Sequence, residues 1–184
     1  MIRRPNTILA VVLALVAAAA AGATTLVRMD LDELAAAASV VVRVRCLGNE
    51  ARVDGGEIWT FTTFETLETL KGTALRAVTV RMIGGRMGRW NARVDGVPRF
   101  EPGEETYLFL EPLRSGELSV TGWAQGTFRV RRDAAGETVT QDTGSVTVFD
   151  PATRQFHAGG VRRMPVAEFR TRVREAIERT GRRR

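Results

Sequence analysis

The chain has 184 residues, 27 basic against 21 acidic side chains, a formal net charge of +6, one Cys and one His. That length suits a single domain whose core can close without disulfide staples, and a lone Cys excludes a disulfide framework within the chain. One His and one distant Cys also fail to supply the ligand set of a zinc site, so no metal and no cofactor is expected.

Residues 1–23 read as a secretory signal peptide. Arg3 and Arg4 precede an unbroken apolar run from Ile8 to Ala21, and Ala21-Gly22-Ala23 supplies the small residues for cleavage after Ala23. The run of 14 residues falls short of the roughly 20 that a membrane-spanning helix needs, and no Cys follows the cleavage site to carry a lipid. The expected mature protein is periplasmic or secreted, with no stable membrane span after cleavage. It divides into a β-barrel domain over 24–161 and a basic amphipathic helix over 162–184 docked on the barrel.

Leu31 to Ala38 predicts a short helix: Asp30 can cap it, Asp32 and Glu33 sit in its positive first turn, and alanines favour it. The period then changes to two. Val40, Val42, Val44 and Cys46 share one face of a strand over 39–47, with Arg43 and Arg45 opposite, so Cys46 reads as a small buried apolar residue. Asp54-Gly55-Gly56 marks a turn. From Ile58 to Leu70 the chain is rich in Thr and aromatics, but Trp59 and Phe61 fall on one face and Phe64 on the other. A β-bulge near Thr62 or Thr63, or a strand covered on both sides, reconciles them.

Ala77 to Ile83 alternates again, with Val78, Val80 and Met82 together, and Gly84 to Pro98 reads as a loop. Strands follow over 106–110, 118–122 and 126–132, and a further pair over 138–141 and 146–149 is joined through Asp142-Thr143-Gly144. Pro165 at the first helical position and Gly181 just past the end frame a helix whose stripe is Val166, Phe169, Val173 and Ile177, with Arg170, Arg172, Arg174 and Arg179 on the opposite face. Residues 162–184 hold nine Arg against three Glu, so the basic charge belongs to the tail. About seven or eight short strands, a helix at either end and no βαβ alternation predict a mainly β, OB-like antiparallel barrel.

The stretch from Thr60 to Gly72 (Thr-Phe-Thr-Thr-Phe-Glu-Thr-Leu-Glu-Thr-Leu-Lys-Gly), Gly84-Gly85, and the turn and strand from Phe100 to Leu110 carry a resemblance. With the valine strand before them, they resemble the netrin-like, tissue-inhibitor-of-metalloproteinase-like OB fold over about residues 39–122. The segment Gly122-Trp123-Ala124-Gln125-Gly126-Thr127-Phe128-Arg129-Val130 is similar to one found in a family of exported bacterial proteins with no assigned activity. The first resemblance implies an OB barrel and an inhibitor or accessory of a secreted protease. The inhibitors chelate zinc through an N-terminal Cys, however, and the expected mature chain begins Thr24-Thr25, so that mechanism does not carry over.

No catalytic residue emerges. His157 lacks a Gly-x-Ser-x-Gly elbow or a nucleophile fixed beside it. Asp30 and Asp32 are explained by helix capping, Glu104-Glu105 sits in a Pro-Gly turn where solvation is expected, and Glu65 with Glu68 completes the acidic pairs. Arg86, Arg89, Trp90 and Arg93 on the glycine-rich loop, together with Trp123, form the candidate partner-binding loop, because Trp flanked by Arg is the composition of contact hot spots. The competing reading has Trp90 folding back over one end of the barrel, and Trp123 carries the same ambiguity. The expected function is an exported, non-enzymatic protein-binding module without nucleic-acid partners. The alternatives are an exported hydrolase using His157 or an acidic pair, and an envelope protein whose basic tail lies on anionic lipid.

Overall fold

A computed structural model describes residues 25–157 and 159–182. The segment read as a signal peptide lies outside them. The protein is mainly β with two helices. In chain order these are β1 (Thr25–Val27), α1 (Leu31–Ala37), β2 (Val40–Asp54), β3 (Glu57–Lys71), β4 (Ala77–Ile83), β5 (Gly85–Met87), β6 (Trp90–Ala92), β7 (Glu105–Pro112), β8 (Leu118–Val120), β9 (Thr127–Asp133), β10 (Gly136–Gln141), β11 (Thr147–Asp150), β12 (Gln155–His157), β13 (Met164–Pro165) and α2 (Val166–Gly181).

The main sheet runs β13-β10-β9-β7-β2-β3-β4-β8, and β8 also pairs with β7. The strands β7-β2-β3-β4-β8 therefore make a ring-like sheet, with β9, β10 and β13 extending from β7. The ring closes antiparallel on one side of β8, Leu110 opposite Val120, and parallel on the other at Val80 opposite Leu118. Two further small sheets are β1-β11-β12 and β5-β6.

The long hairpin β2–β3 turns at Gly55 and Gly56, whose φ values of 59° and 86° give the left-handed pair that a two-residue hairpin loop requires. Its pairing skips Leu47 on β2 and Leu67 and Leu70 on β3. An unpaired extra residue bends a strand and increases its twist, which suits a ring. A bulge does lie beside Thr63, but on the facing strand β2, and it is not what reconciles the phases in β3. There β3 alternates without interruption, and the skipped residue, Leu47, lies across from it. Thr62 and Phe64 are buried inside, while Trp59 and Phe61 lie outside beneath Arg81 and Arg52, whose guanidinium carbons stand 4.1 Å and 4.9 Å from the respective ring centroids.

Both faces of the sheet are buried at its centre. Val42, Val44, Cys46, Phe64, Val78, Val80, Met82, Leu108 and Leu110 pack inside the ring. Val41, Tyr107 and Phe109 point the other way, onto a second core that contains Phe128, Val139 and both helices. In that second core Phe169 of α2 meets Phe128 at 4.7 Å and Tyr107 at 5.1 Å between ring centroids.

The helix α1 begins with a capping box: the Glu33 N–H donates to Asp30 Oδ1 (2.8 Å) and the Asp30 N–H donates to Glu33 Oε2 (2.7 Å). At its other end Lys71 Nζ donates to the carbonyls of Ala35 and Ala38, at 2.6 Å and 2.5 Å. A cation there satisfies orphan acceptors and complements the negative end of the dipole. On α2 the buried stripe is Val166, Phe169, Val173 and Ala176, with Ile177 packed at its edge. Pro165 serves as the residue before the helix and Gly181 as its last residue, each one place from the sequence reading. The arginines form no free cationic face. Arg170 and Arg174 reach Glu68 at 2.5 Å and 3.5 Å, Arg179 reaches Asp32 at 2.6 Å, and Arg172 pairs with Glu168 at 2.6 Å.

Residues 138–141 and 146–149 do not pair with each other. β10 lies between β9 and β13, whereas β11 turns away to take β1 in parallel and β12 in antiparallel pairing. A polar clamp holds the N-terminal segment that β11 pairs with. Gln125 Nε2 donates to the Val27 carbonyl and its Oε1 accepts from the Met29 N–H, both at 2.8 Å, so one side chain acts as a strand partner for the N-terminal segment. The neighbouring Gly126 admits no side chain: a Cβ there would lie 2.1 Å from the Thr121 carbonyl oxygen. Gln125, Gly126 and Phe128 of the 122–130 segment are thus structural.

Truncating Phe169 to Ala removes the ring that joins helix and sheet. We expect a loss of about 3–5 kcal/mol, the range for buried Phe→Ala, seen as a melting temperature lower by roughly 10 °C at this chain size. A melt shifted by less than roughly 2 °C would show that α2 does not share the core.

Candidate functional site

The loop predicted between Gly84 and Pro98 contains an outlying hairpin, β5–β6, with Met87 opposite Trp90 and Gly88-Arg89 between them. Its base is anchored by β3: the Gly84 N–H donates to the Ile58 carbonyl (2.7 Å), and Thr60 Oγ1 donates to the Gly84 carbonyl (2.7 Å). Gly85 is required there, since a Cβ would stand 2.2 Å from Thr60 Oγ1. Its tip leaves the body. Trp90 is 60% exposed, Met87 is 37% exposed, and Arg86, Arg89 and Arg93 are exposed. The Arg89 guanidinium stands 5.1 Å from the Trp90 ring centroid, and Arg93 faces Asp95 at 3.8 Å.

The structure therefore brings Arg86, Arg89 and Trp90 together on one hairpin, places Arg93 one residue past its end, and sets Trp123 apart. Trp123 begins the 3₁₀ turn after Gly122 with φ of 54°, and it packs against the ring core with its ring near Gly96. Its backbone lies in the left-handed region, which a bulky residue enters only when the surroundings hold it.

Behind the hairpin base lies a cavity of about 250 Å³ at one end of the ring. Its wall includes Met82, Ile83, Val97 and Phe100 as apolar surface and Asn49, Thr60 and Thr62 as polar surface, with Arg86, Arg99 and Glu101 among its charged residues. Asn49 is fixed from both sides, its Nδ2 donating to the Phe100 carbonyl (2.8 Å) and its Oδ1 accepting from Thr62 Oγ1 (2.7 Å). Arg99 Nη2 donates to the Ala92 carbonyl at 3.1 Å and so ties the far wall to β6. The sequence reading missed this cavity. Its signals were the doubled glycine Gly84-Gly85 at a strand end and the inward phase of Thr60 and Thr62.

The carboxylates Glu65, Glu68, Glu104 and Glu105 are engaged in ion pairs. Glu105, expected in a solvated turn, is mostly buried and accepts from Arg43 (2.6 Å) and Arg45 (2.9 Å). Burial works to raise its pKa, but the bonds from Arg45 and Arg43 outweigh it and hold the group ionised. Glu104 pairs with Arg129 at 2.9 Å, and Glu65 pairs with Arg45 at 3.1 Å. Glu68 accepts from Tyr107 Oη (3.2 Å); burial, and then the Glu68 charge, push the Tyr107 phenol up to about 12. Glu65, Glu68, Glu104 and Glu105 are thus each held in an ion pair with a neighbouring arginine.

His157 is exposed on β12, with Nε2 3.5 Å from Thr153 Oγ1. Asp150 is occupied by Arg28 Nη1 (2.8 Å) and by the N–H groups of Ala152 and Thr153. Among the described residues no group of His, Cys, Asp or Glu is placed to hold a metal ion, and no helix is long and apolar enough to cross a membrane. Cys46 is buried inside the ring, and burial raises its thiol pKa, which lowers its reactivity. Compared with known families and with curated proteins, the sequence matches none.

Glu137 joins two strands through Arg43 (2.9 Å) and Arg132, and these bonds pull its pKa from an ordinary 4.5 to about 2. A carboxylate held lower in the folded chain stabilises above its unfolded pKa, and that contribution is lost as pH falls toward the folded value. Urea unfolding between pH 6 and 2 should thus show wild-type stability falling from about pH 4.5 downward, with a shallower fall in Glu137→Gln. Parallel curves for the two would remove Glu137 from the acid response.

Proposed function

We propose that the protein is an exported, non-enzymatic binding module built on an OB-like barrel, which engages a protein partner through the β5–β6 hairpin. The observation that carries this reading is the hairpin tip. A Trp and a Met stand exposed beside Arg86 and Arg89, on an element whose base is clamped to the ring. Large aromatics and Arg concentrate binding energy at interfaces, and a site on a rigid base loses less conformational entropy on binding.

The barrel reading is supported by the ring order β7-β2-β3-β4-β8 and by its narrow closure at the single Val80–Leu118 pair, since OB folds are five-stranded and partly open. Together with the motifs at Thr60–Gly72 and Phe100–Leu110, this is consistent with the netrin-like resemblance. Export rests on the layout of residues 1–23. The ion pairs of α2 with Glu68 and Asp32 favour a helix that serves the fold over one that seeks lipid.

Placed at position 90, a photoreactive amino acid should capture a discrete protein adduct in the exported fraction of the source organism. The same group at the exposed Leu75 should capture none, and Arg89→Glu should suppress the adduct at 90 by tenfold or more. Equal capture at both positions, or none at either, contradicts the reading.

A further inference from the structure

We infer that the cavity behind the hairpin is an anchor pocket for one apolar side chain carried on an acidic segment of the partner. This rests on the hairpin reading above and supplies the chemistry of what binds there.

Size argues first. Pockets that enclose whole small molecules run from about 300 to 1,000 Å³. This cavity, about 250 Å³ and open at its mouth, lies just below that range and suits a single anchoring group. Its floor offers Met82, Ile83, Val97 and Phe100, while the hydrogen-bonding capacity of Asn49, Thr60 and Thr62 is largely spent on fixed internal partners. An aliphatic or aromatic side chain fits that lining better than a polar one.

Charge argues second. Several arginines of the sheet and of α2 are matched to carboxylates: Arg43 to Glu105 and Glu137, Arg81 to Asp54 and Glu117, Arg129 to Glu104 and Asp142, Arg170 to Glu68. The segment 84–101 carries an excess of cations, with Arg86, Arg89, Arg93 and Arg99 against Asp95 and Glu101. Among the described residues, Arg86 and Arg99 have no ion pair to a carboxylate, and both border the cavity. Glu101 works against an anion there, but the local balance remains positive. Two exposed cations bordering a partly apolar pocket favour an acidic sequence around an apolar residue. The distance fits as well, since Trp90 lies two strand steps, roughly 7 Å, from the hairpin base. One extended segment can reach both.

The test is a nuclear magnetic resonance titration of isotope-labelled protein with acetyl-Asp-Glu-Leu-Asp-Glu-amide. Shifts should concentrate at 84–86 and 97–101. Exchanging the central Leu for Ser, or the four acids for Lys, should weaken binding at least fivefold. Arg86→Gln with Arg99→Gln should weaken it about tenfold while leaving the remaining spectrum in place, and so should raising salt from 50 to 300 mM, which shortens the screening length. No shifts at millimolar peptide, shifts elsewhere, equal binding of the Lys peptide, or a folded double variant of unchanged affinity would each overturn the assignment. If the photoadduct at position 90 forms and the peptide does not bind, the acidic-anchor chemistry falls and the hairpin contact stands. If the peptide binds here and no adduct forms, the hairpin contact falls and the anchor pocket stands as a site for acidic segments alone.

Discussion

The structure depends on a sheet whose centre is dry on both faces. Along β2, Val41 points to the helices, and Val42 and Val44 point into the ring. Along β7, Phe109 points to the helices, and Leu108 and Leu110 point into the ring. A strand buried on both sides must be covered by two separate layers. Here one layer is the rest of the ring and the other is the helix pair α1–α2. The tail helix follows from this requirement, because without Val166, Phe169 and Val173 the outward side of Tyr107 and Phe109 would face water.

That double burial also arranges the charges. Arginines that leave the two cores emerge beside carboxylates on neighbouring strands, and Arg43, Glu105, Glu137, Arg132, Arg45 and Glu65 form one chain of pairs across the sheet. Individually such pairs contribute little at a surface. Collectively they engage much of the charge at the centre of the sheet, while 84–101 holds four arginines against two acids. That local positive balance guides the functional proposal, together with the exposure of Trp90.

Much of the mainly β pattern was legible because two-residue alternation is a local property. Val78, Val80 and Met82 announced their face directly, and Asp30 with Glu33 announced the start of α1. The reading failed where long-range partners decide. Thr25–Val27 holds no alternation long enough to notice and becomes a strand by pairing with β11, more than 100 residues away, while Gln125 bonds the Val27 carbonyl at its end. Val146 to Phe149 has strand composition, but composition does not name the neighbour, which is β1 rather than β10. Glu105 looked solvated beside Pro102-Gly103, and only the register of β2 on β7 places Arg43 and Arg45 beside it. For the site, the run of Arg and Trp was visible and its cavity was not, since Asn49, Thr60 and Phe100 meet only once the ring is formed. Trp123 illustrates the limit of composition: its neighbours Gly122, Gln125 and Gly126 carry no local sign of whether its ring packs inward.

Amide hydrogen exchange tests the doubly buried centre most directly. The account predicts that the amides of Val41–Val44 and Tyr107–Leu110 exchange only through global unfolding, with protection matching the free energy from denaturant, while those of Gly85–Ala92 exchange by local opening. If β2 and β7 exchanged well below the global value, with α2 detaching first and the ring retained, the two layers would be independent and the central claim would be contradicted.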